Sequence, residues 1–222
     1  MGERMGVRRA VRTDVPVAAR LLAEALASNI WLRFQFPAGS QLLEILETAY
    51  RAYLDMVAFP HLDTWMSTDG GAVAVWTRPQ SDVPESALTA LSQIVSPLMA
   101  DRLPEARHAQ SWAESQIPRV PHWRLEVIGT SPHRQRQGLG SAVLVPALRL
   151  SDRDRVPAYV QTSTNGSKRF YEKLGFVVTS SGCATAVAPH VWTMLREPTP
   201  SSDGETGRMG DHAKHSATVA QP

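Results

Sequence analysis

The sequence predicts a mixed α/β fold, with a mostly antiparallel central sheet, one parallel strand-helix-strand crossover and helices on both faces. Three observations lead to this prediction. Asp69-Gly70-Gly71 lies between two apolar segments and is typical of a β-hairpin turn. The apolar segment His122–Thr130 continues through a glycine-containing loop and a helix to the strand Pro157–Thr162, which is the order of a right-handed parallel crossover. Two further strands, 176–180 and 190–195, close the sheet as an antiparallel pair.

Length and composition indicate one domain over residues 7–196. The chain has 222 residues, 43% of them hydrophobic, which is enough for one substantial core. Residues 1–6 are expected to be a flexible N-terminus. Residues 197–222 are rich in Ser, Gly, Thr and Pro and contain almost no large apolar side chains, so they are expected to form a disordered tail.

Charge and cysteine content narrow the class of protein further. The 23 basic and 21 acidic residues give a net charge of +2, which does not indicate a nucleic-acid-binding surface. The lone Cys183 excludes an intrachain disulfide framework and a cysteine-rich zinc site. No apolar run approaches the roughly 20 residues that span a bilayer. We therefore expect a cytoplasmic monomer or homodimer that binds no metal, nucleic acid or membrane.

The first half of the domain is predicted to begin with a strand, Val7–Val11, followed by two helices. Thr13 or Asp14 caps the first helix, and Pro16 suits its first turn. Apolar residues recur at helical spacing in both helices: Val17, Leu21, Leu22, Ala25 and Leu26 in the first, and Leu42, Leu43, Leu46, Ala49, Tyr50, Tyr53 and Leu54 in the second. After the hairpin, Pro84–Ala100 and Pro104–Gln116 are predicted helices, with Leu88, Leu91, Val95 and Leu98 on the buried side of the first.

The second half is built around the strand His122–Thr130. Strict alternation along that strand places its side chains in two sets, with Arg124, Glu126 and Ile128 on one face and Leu125, Val127 and Gly129 on the other. A short helix over Ser167–Leu174 is expected to end at Gly175, which suits the position after a helix C-cap.

The loop between that strand and the next helix has the properties of a phosphate-binding loop. Between Gln135 and Ser141 it offers successive backbone N–H groups, and Gly138 and Gly140 allow a ligand to approach closely. Arg134 and Arg136 add positive charge beside the loop. A Walker loop would need a lysine after its second glycine, and a dinucleotide fingerprint would need a third glycine where Val143 stands. The loop therefore indicates neither a nucleotide bound by a Walker loop nor a dinucleotide.

The segment Gln135-Arg-Gln-Gly-Leu-Gly140 has the pattern Gln/Arg-x-x-Gly-x-Gly/Ala and resembles the acyl-coenzyme A pyrophosphate loop of the GNAT acetyltransferases. Phe170-Tyr-Glu-Lys-Leu-Gly-Phe176 is similar to the late helix-to-strand motif of the same superfamily. With the segment 69–77, and with Gly138–Val143 and Pro146, the resemblance extends to the puromycin N-acetyltransferase branch and covers roughly Val7–Arg196. It implies a GNAT-like fold and transfer of an acetyl group from acetyl-CoA to a primary amine of a small molecule, such as an aminonucleoside or another antibiotic. Antibiotic resistance is the role that this branch implies.

The resemblance also implies which residues bind acetyl-CoA. The loop residues Gln135, Arg136, Gln137, Gly138, Leu139, Gly140 and Ser141 are expected to hold the pyrophosphate. Ile128, Gly129 and Thr130 are expected to contact the pantetheine arm, since such an arm can pair with an exposed strand edge as an added strand does. Asn165 is a further candidate for this arm.

Two residues are candidates for proton transfer. Amine attack on a thioester requires a neutral amine, whereas an alkylammonium has a pKa of about 10.4, so a base or a water wire must accept its proton. Tyr171 is the candidate acid for the departing thiolate, with packing against the sheet as its alternative role. Glu126 is the candidate base, although a salt bridge on a solvated face is equally open.

Fewer residues can be predicted for the part of the site that binds the amine acceptor. A glutamate before Thr-Ser on the fifth strand is expected from the puromycin-type pattern, but this chain has Gln161, which can orient water or substrate but cannot titrate. Trp31 and Phe34 precede a loop and are predicted to contact the substrate, whereas Tyr50 and Tyr53 are assigned to the core. Two alternatives stay open: acetylation of a protein N-terminus or lysine, and a non-catalytic acyl-CoA binding or sensing module, which the missing glutamate favours.

Overall fold

The computed structural model describes residues 6–199 and contains one seven-stranded sheet. Residues 1–5 and 200–222, which include most of the predicted flexible N-terminus and tail, lie outside the described residues. The strands are β1 (Val7–Arg9), β2 (Asp63–Ser67), β3 (Ala72–Thr77), β4 (Trp123–Thr130), β5 (Ala158–Thr162), β6 (Val177–Gly182) and β7 (Val191–Arg196). Their order is β1-β2-β3-β4-β5-β7-β6, and only β4 and β5 pair in parallel. The predicted fold class is confirmed.

The helices lie on both faces of this sheet. They are α1 (Val15–Leu26), α2 (Ile30–Gln35), α3 (Leu42–Tyr53), α4 (Phe59–His61), α5 (Glu85–Leu98), α6 (Leu103–Ser115), α7 (Leu139–Asp154) and α8 (Asn165–Glu172). A π-helical turn, Leu54–Ala58, joins α3 to α4. The crossover from β4 to β5 runs through α7, as the order of segments predicts.

The prediction of two helices between β1 and the hairpin is wrong, because α2 is an additional helix. Asn29 caps it, and its side chain accepts hydrogen bonds from the backbone N–H groups of Trp31 and Leu32 at 2.9 and 3.3 Å. Six residues make fewer than two turns, which is too short for a hydrophobic period to become visible.

A hydrophobic cluster packs against each face of the sheet. On one face, α7 packs over a cluster that includes Trp76, Leu144 and Met194, all with no exposed surface. On the other face, α1 and the turn after α3 cover Val73 and Val75. The helix α5 lies outside these layers and contains no fully buried residue. Its predicted buried side is wrong at Leu88, which is 48% exposed, whereas Val95 and Leu98 pack against a third cluster between α1 and α3.

A β-bulge in β4 changes which face its side chains meet. Val75 pairs with Val127 and Trp76 pairs with Leu125, so Glu126 has no partner on β3. As a result Leu125 belongs to the cluster under α7 while Val127 packs against the cluster under α1. Strict alternation would put these two residues on the same face, so the predicted alternation is wrong beyond the bulge. An extra residue in one strand shifts the period by one position.

The two parallel strands diverge at the same place. Pairing between β4 and β5 is limited to Trp123 with Ala158 and Arg124 with Tyr159. β5 continues to pair with β7 as far as Thr162. The edge of β4 that faces β5 is therefore unpaired from Leu125 to Thr130, and a gap opens in the middle of the sheet.

Candidate active site

A cavity of about 380 Å³ occupies the gap between β4 and β5. Its walls come from both strands and from α2, α3, α6 and α8. Among the residues that line it are five of the predicted site residues, namely Trp31, Glu126, Ile128, Gln161 and Tyr171. Residues that were not predicted for the site also line it: Asn29, Leu32, Gln35, Gln110, Ala113, Arg124 and Ser167. These come from α2 and its N-cap, α6, β4 and α8 and form no sequence motif, so sequence reasoning had no pattern by which to find them.

Glu126 reaches this cavity because it is the residue at the bulge. One carboxylate oxygen, Oε1, accepts a hydrogen bond from the hydroxyl of Thr77 and lies 3.3 Å from Nε of Arg124. Within the described part of the chain, Oε2 makes no hydrogen bond or ion pair. The salt bridge that was the alternative for Glu126 is present, and the role of Glu126 as a base stays a prediction.

Tyr171 lies on the opposite side of the gap, in α8. Its ring is 5% exposed and makes edge contacts with Phe170 and Phe176, with ring centroids 5.2 and 5.7 Å apart. Burial raises the pKa of the Tyr171 hydroxyl above its ordinary value, so the group is protonated at neutral pH. The packing role and the cavity-lining position are both present: the ring is part of the core under α7, and the residue borders the cavity.

One end of the cavity, the predicted acceptor end, is bordered by α2 and α3. Trp31 lines it, whereas Phe34 packs beside Trp31 with ring centroids 6.3 Å apart and does not line it. Tyr50 and Tyr53 contact the core as predicted, but they also border the cavity. The hydroxyl of Tyr53 is buried without a hydrogen-bond partner among residues 6–199, and burial, reinforced by the charge of Glu126, raises its pKa.

The glycine-containing loop has the geometry of an anion site at a helix N-terminus. Gly138 is the N-cap of α7 and adopts a left-handed conformation, with φ of 85°, which favours glycine. No side chain caps this helix, so the first-turn N–H groups of Leu139, Gly140 and Ser141 are available to a ligand. Their direction and the helix dipole both favour a negatively charged group.

The turn between β2 and β3 holds one side chain of this loop, Arg134. Asp69 accepts hydrogen bonds from the Ser67 hydroxyl at 2.7 Å and the Gly71 N–H at 2.9 Å, and it forms an ion pair with Arg134 at 2.8 Å. The Ser67 bond, the Gly71 bond and the Arg134 charge lower the pKa of Asp69 to about 2. Arg134 is thus held by the hairpin, and of the two predicted loop arginines Arg136 is the exposed one.

Asn165, the remaining predicted residue for the pantetheine arm, begins α8 and is exposed rather than lining the cavity. Ser167, two positions later, does line it, and its backbone N–H donates to the capping hydroxyl of Thr164 at 3.1 Å. The cofactor role of Asn165 stays a prediction.

Residues 6–199 contain neither a metal-binding cluster nor a membrane-spanning helix. They contain no group of three or more His, Cys, Asp or Glu side chains arranged to hold a metal ion. Over the same range, no helix is both long and apolar enough to cross a membrane.

The sheet order, the gap between β4 and β5 and the uncapped helix after β4 define a protein of the GNAT fold. Residues 102–176 match the model of the acetyltransferase (GNAT) family. This segment runs from the end of the turn before α6 to the start of β6 and contains the bulge, the loop and Tyr171. The match covers 75 of the 222 residues, and this segment is therefore similar to the GNAT acetyltransferases.

Solved structures share this fold at low sequence identity. A histone acetyltransferase HPA2 and related acetyltransferase from Corynebacterium glutamicum is 19% identical, with a TM-score of 0.67 over 90% of this chain and 99% of that one. The ribosomal-protein-S18-alanine N-acetyltransferase from Escherichia coli is 15% identical, with a TM-score of 0.51 over 90% and 98%. An N-acetyltransferase from Staphylococcus aureus is 12% identical, with a TM-score of 0.53 over 86% and 99%. At these identities the likeness is one of fold.

Proposed function

We propose that this protein transfers the acetyl group of acetyl-CoA to the primary amine of a small molecule, by direct attack of the amine in a ternary complex. The observation that carries the proposal is the cavity between β4 and β5, which Glu126 and Tyr171 both line. A base for the amine and a proton donor for the sulfur are the two groups that this reaction needs.

The surroundings of the cavity fit acetyl-CoA, which supplies the activated acetyl thioester when bound. The N–H groups of Gly138–Ser141 would hold the pyrophosphate, with Gln135, Arg136 and Gln137 beside it. The unpaired edge of β4 at Ile128, Gly129 and Thr130 would pair with the amides of the pantetheine arm. A backbone N–H on this edge would also polarise the thioester carbonyl.

Glu126 serves as the base in this proposal. Its Oε2 would accept the proton of the substrate ammonium, directly or through one water, while Thr77 and Arg124 hold Oε1. The bulge leaves the backbone of Glu126 without a register partner on β3, and the Glu126 side chain lines the cavity between β4 and β5.

Tyr171 serves as the donor to the departing sulfur. A free thiol has a pKa of about 8.5, below that of a buried tyrosine, so the hydroxyl acts by donating a hydrogen bond to the developing thiolate. Its raised pKa keeps the proton on the hydroxyl, and the thiolate takes its own proton from water after it leaves. No nucleophilic cysteine is needed, and Cys183 lies in the exposed loop between β6 and β7.

The lining of the acceptor end supports a small molecule as the substrate. Aromatic side chains of α2 and α3 border this end. Among residues 6–199, Glu126 is the one carboxylate that lines the cavity. A protein N-terminus or lysine would be better served by an open groove with several acidic side chains. Within the small-molecule class, the resemblance to the puromycin branch favours an aminonucleoside or another antibiotic, and hence a role in resistance.

Thiol release from acetyl-CoA tests the proposal directly. The purified protein is incubated with acetyl-CoA and a panel that contains puromycin, other small amines, and peptides offering an N-terminal alanine or a lysine. We expect turnover of a small amine, and we expect Tyr171→Phe to lower kcat by roughly 100-fold or more while acetyl-CoA binding by calorimetry is retained. Glu126→Gln should likewise lower kcat without loss of acetyl-CoA binding.

Each alternative has its own outcome. Preferred turnover of the peptides would support a protein acetyltransferase. Tight acetyl-CoA binding with no turnover of any amine would support a sensing module. A Tyr171→Phe variant that releases thiol at the wild-type rate would remove Tyr171 from the mechanism.

A further inference from the structure

The connection between β3 and β4 is much longer than the sheet requires. These strands are antiparallel neighbours, which a turn of a few residues can join, yet residues 78–122 intervene and form α5 and α6. Of these two helices, α6 supplies a wall of the cavity through Gln110 and Ala113. Because α6 also packs against α2, which borders the predicted acceptor end, its position helps to set the size of that end.

The C-terminal end of α6 is fastened to the sheet by side chains of β5 and β6. Gln161 Nε2 donates to the carbonyl oxygen of Ala113 at 2.7 Å. The hydroxyl of Tyr159 donates to the carbonyl oxygen of Gln116 at 3.4 Å, and the hydroxyl of Ser180 lies 3.3 Å from Oε1 of Gln116. Gln161 makes the shortest of these contacts, and it is the one that lines the cavity itself.

An amide suits position 161 for a reason that a carboxylate does not share. The Ala113 carbonyl is one of the last four of α6; it accepts a hydrogen bond from the backbone N–H of Gln116 at 3.1 Å and has a second lone pair that can only accept another. The C-terminal end of a helix also carries partial negative charge. A glutamine donates to this carbonyl, whereas an ionised glutamate would be repelled by it.

We propose that Gln161 is a positioning residue that fixes α6 as the wall of the acceptor end and thereby sets the affinity for the amine. This inference rests on the proposed function, because it assumes that the amine occupies the cavity. Gln161 neither accepts nor donates a proton in the reaction. The amide at the position where a glutamate was expected is thus part of how this chain holds the inserted helix.

Gln161→Glu tests the inference, because its effect depends on pH. At neutral pH we expect the KM for the amine to rise roughly tenfold relative to the wild type, from one lost hydrogen bond with added repulsion, while the KM for acetyl-CoA stays unchanged. As the pH falls toward the ordinary glutamate pKa of about 4.3, the protonated side chain can donate again, and the ratio of variant to wild-type KM should return toward one.

Several charged or titratable groups surround this position. They are Arg124 and Glu126 on β4, Tyr159 on β5, and Tyr50 and Tyr53 across the cavity. Because all of them are present in the wild type as well, the ratio of the two KM values at each pH removes their own titration. Gln161→Leu is the neutral counterpart. The ratio of its KM for the amine to the wild-type KM should exceed one at every pH.

Hydrogen exchange of the backbone amides in α6 supplies a measurement that needs no substrate. Both Gln161 variants should exchange faster at the C-terminal end of α6 at neutral pH, and Gln161→Glu should recover in acid. Gln93→Glu, an exposed site on α5 in the same insertion, adds the same charge and should leave α6 exchange and both KM values at the wild-type level.

The outcomes separate this inference from the proposed function. Unchanged α6 exchange in both variants would overturn it, as would a fall in kcat with the amine KM unchanged, which would mean that Gln161 takes part in the chemistry. If no amine is turned over at all, the proposed function fails, and the exchange measurement still decides whether Gln161 holds α6.

Discussion

Gly129→Ala is expected to destabilise the fold, because α1 lies directly on β4 at this point. A Cβ at residue 129 would lie 2.8 Å from Cδ2 of Leu22, 3.1 Å from Cδ2 of Leu21 and 3.3 Å from Cβ of Ala25. Leu22 is fully buried and the Ala25 methyl is fixed to the helix backbone, so rotation of one side chain cannot relieve all three contacts.

The size of the effect follows from two opposing terms. Overpacking costs about 1–3 kcal/mol, and replacing glycine by alanine returns about 0.4–1 kcal/mol by restricting the unfolded chain. The middle of the two ranges, about 2 and about 0.7 kcal/mol, gives a net loss of about 1.3 kcal/mol, which for a chain of this length lowers Tm by about 3–5 °C.

Calorimetric melting of the variant and the wild type measures this loss. Gly166→Ala in α8 is the matched control, since the nearest atom to its Cβ would be 4.0 Å away, and it should raise the free energy of unfolding by about 0.4–1 kcal/mol. A Gly129→Ala protein that melts at or above the wild-type temperature would refute the contact between α1 and β4.

Three further predictions concern the supports of the site. Asp69→Asn removes the charge that holds Arg134, so the Kd for acetyl-CoA measured by calorimetry should rise several-fold, with a stability loss of under about 1 kcal/mol because the pair is exposed. The folded pKa of Asp69, about 2, lies below its unfolded value of 3.8, so its contribution to stability is complete above pH 3.8 and is lost as the pH falls toward 2. Acid melts should show this loss in the wild type and its absence in Asp69→Asn. Asn29→Ala removes the cap of α2 and should lower the free energy of unfolding in urea by about 0.5–2 kcal/mol. It should also raise the KM for the amine, because α2 carries Trp31.

The donor side of the site could be predicted from the sequence because its geometry is local. A helix N-terminus that receives a phosphate needs glycines at fixed positions along one continuous segment, and Gly138 adopts the left-handed conformation that such a loop uses. The hairpin at Asp69 and the parallel crossover depend on local turn chemistry and on the order of segments, so both were also within reach of sequence reasoning.

The acceptor side could not be predicted in the same way. Trp31 lies on a helix too short to show a period, and the bulge at Glu126 depends on how β3 and β4 align rather than on either strand alone. Leu88 was placed on a buried face because its spacing is helical, but spacing cannot tell whether a helix lies outside the main layers.

The bulge connects these two sides of the site. If β4 paired with β3 in an unbroken register, Glu126 would have a partner on β3 and Val127 would join Leu125 under α7. The extra residue instead leaves Glu126 unpaired at the gap, and beyond it Ile128 packs under α7 while Gly129 accommodates α1. One inserted residue thus places the candidate base at the opening through which the acetyl group and the amine would meet. A substitution that restored regular pairing at the bulge would therefore be expected to cost activity even though it would add backbone hydrogen bonds.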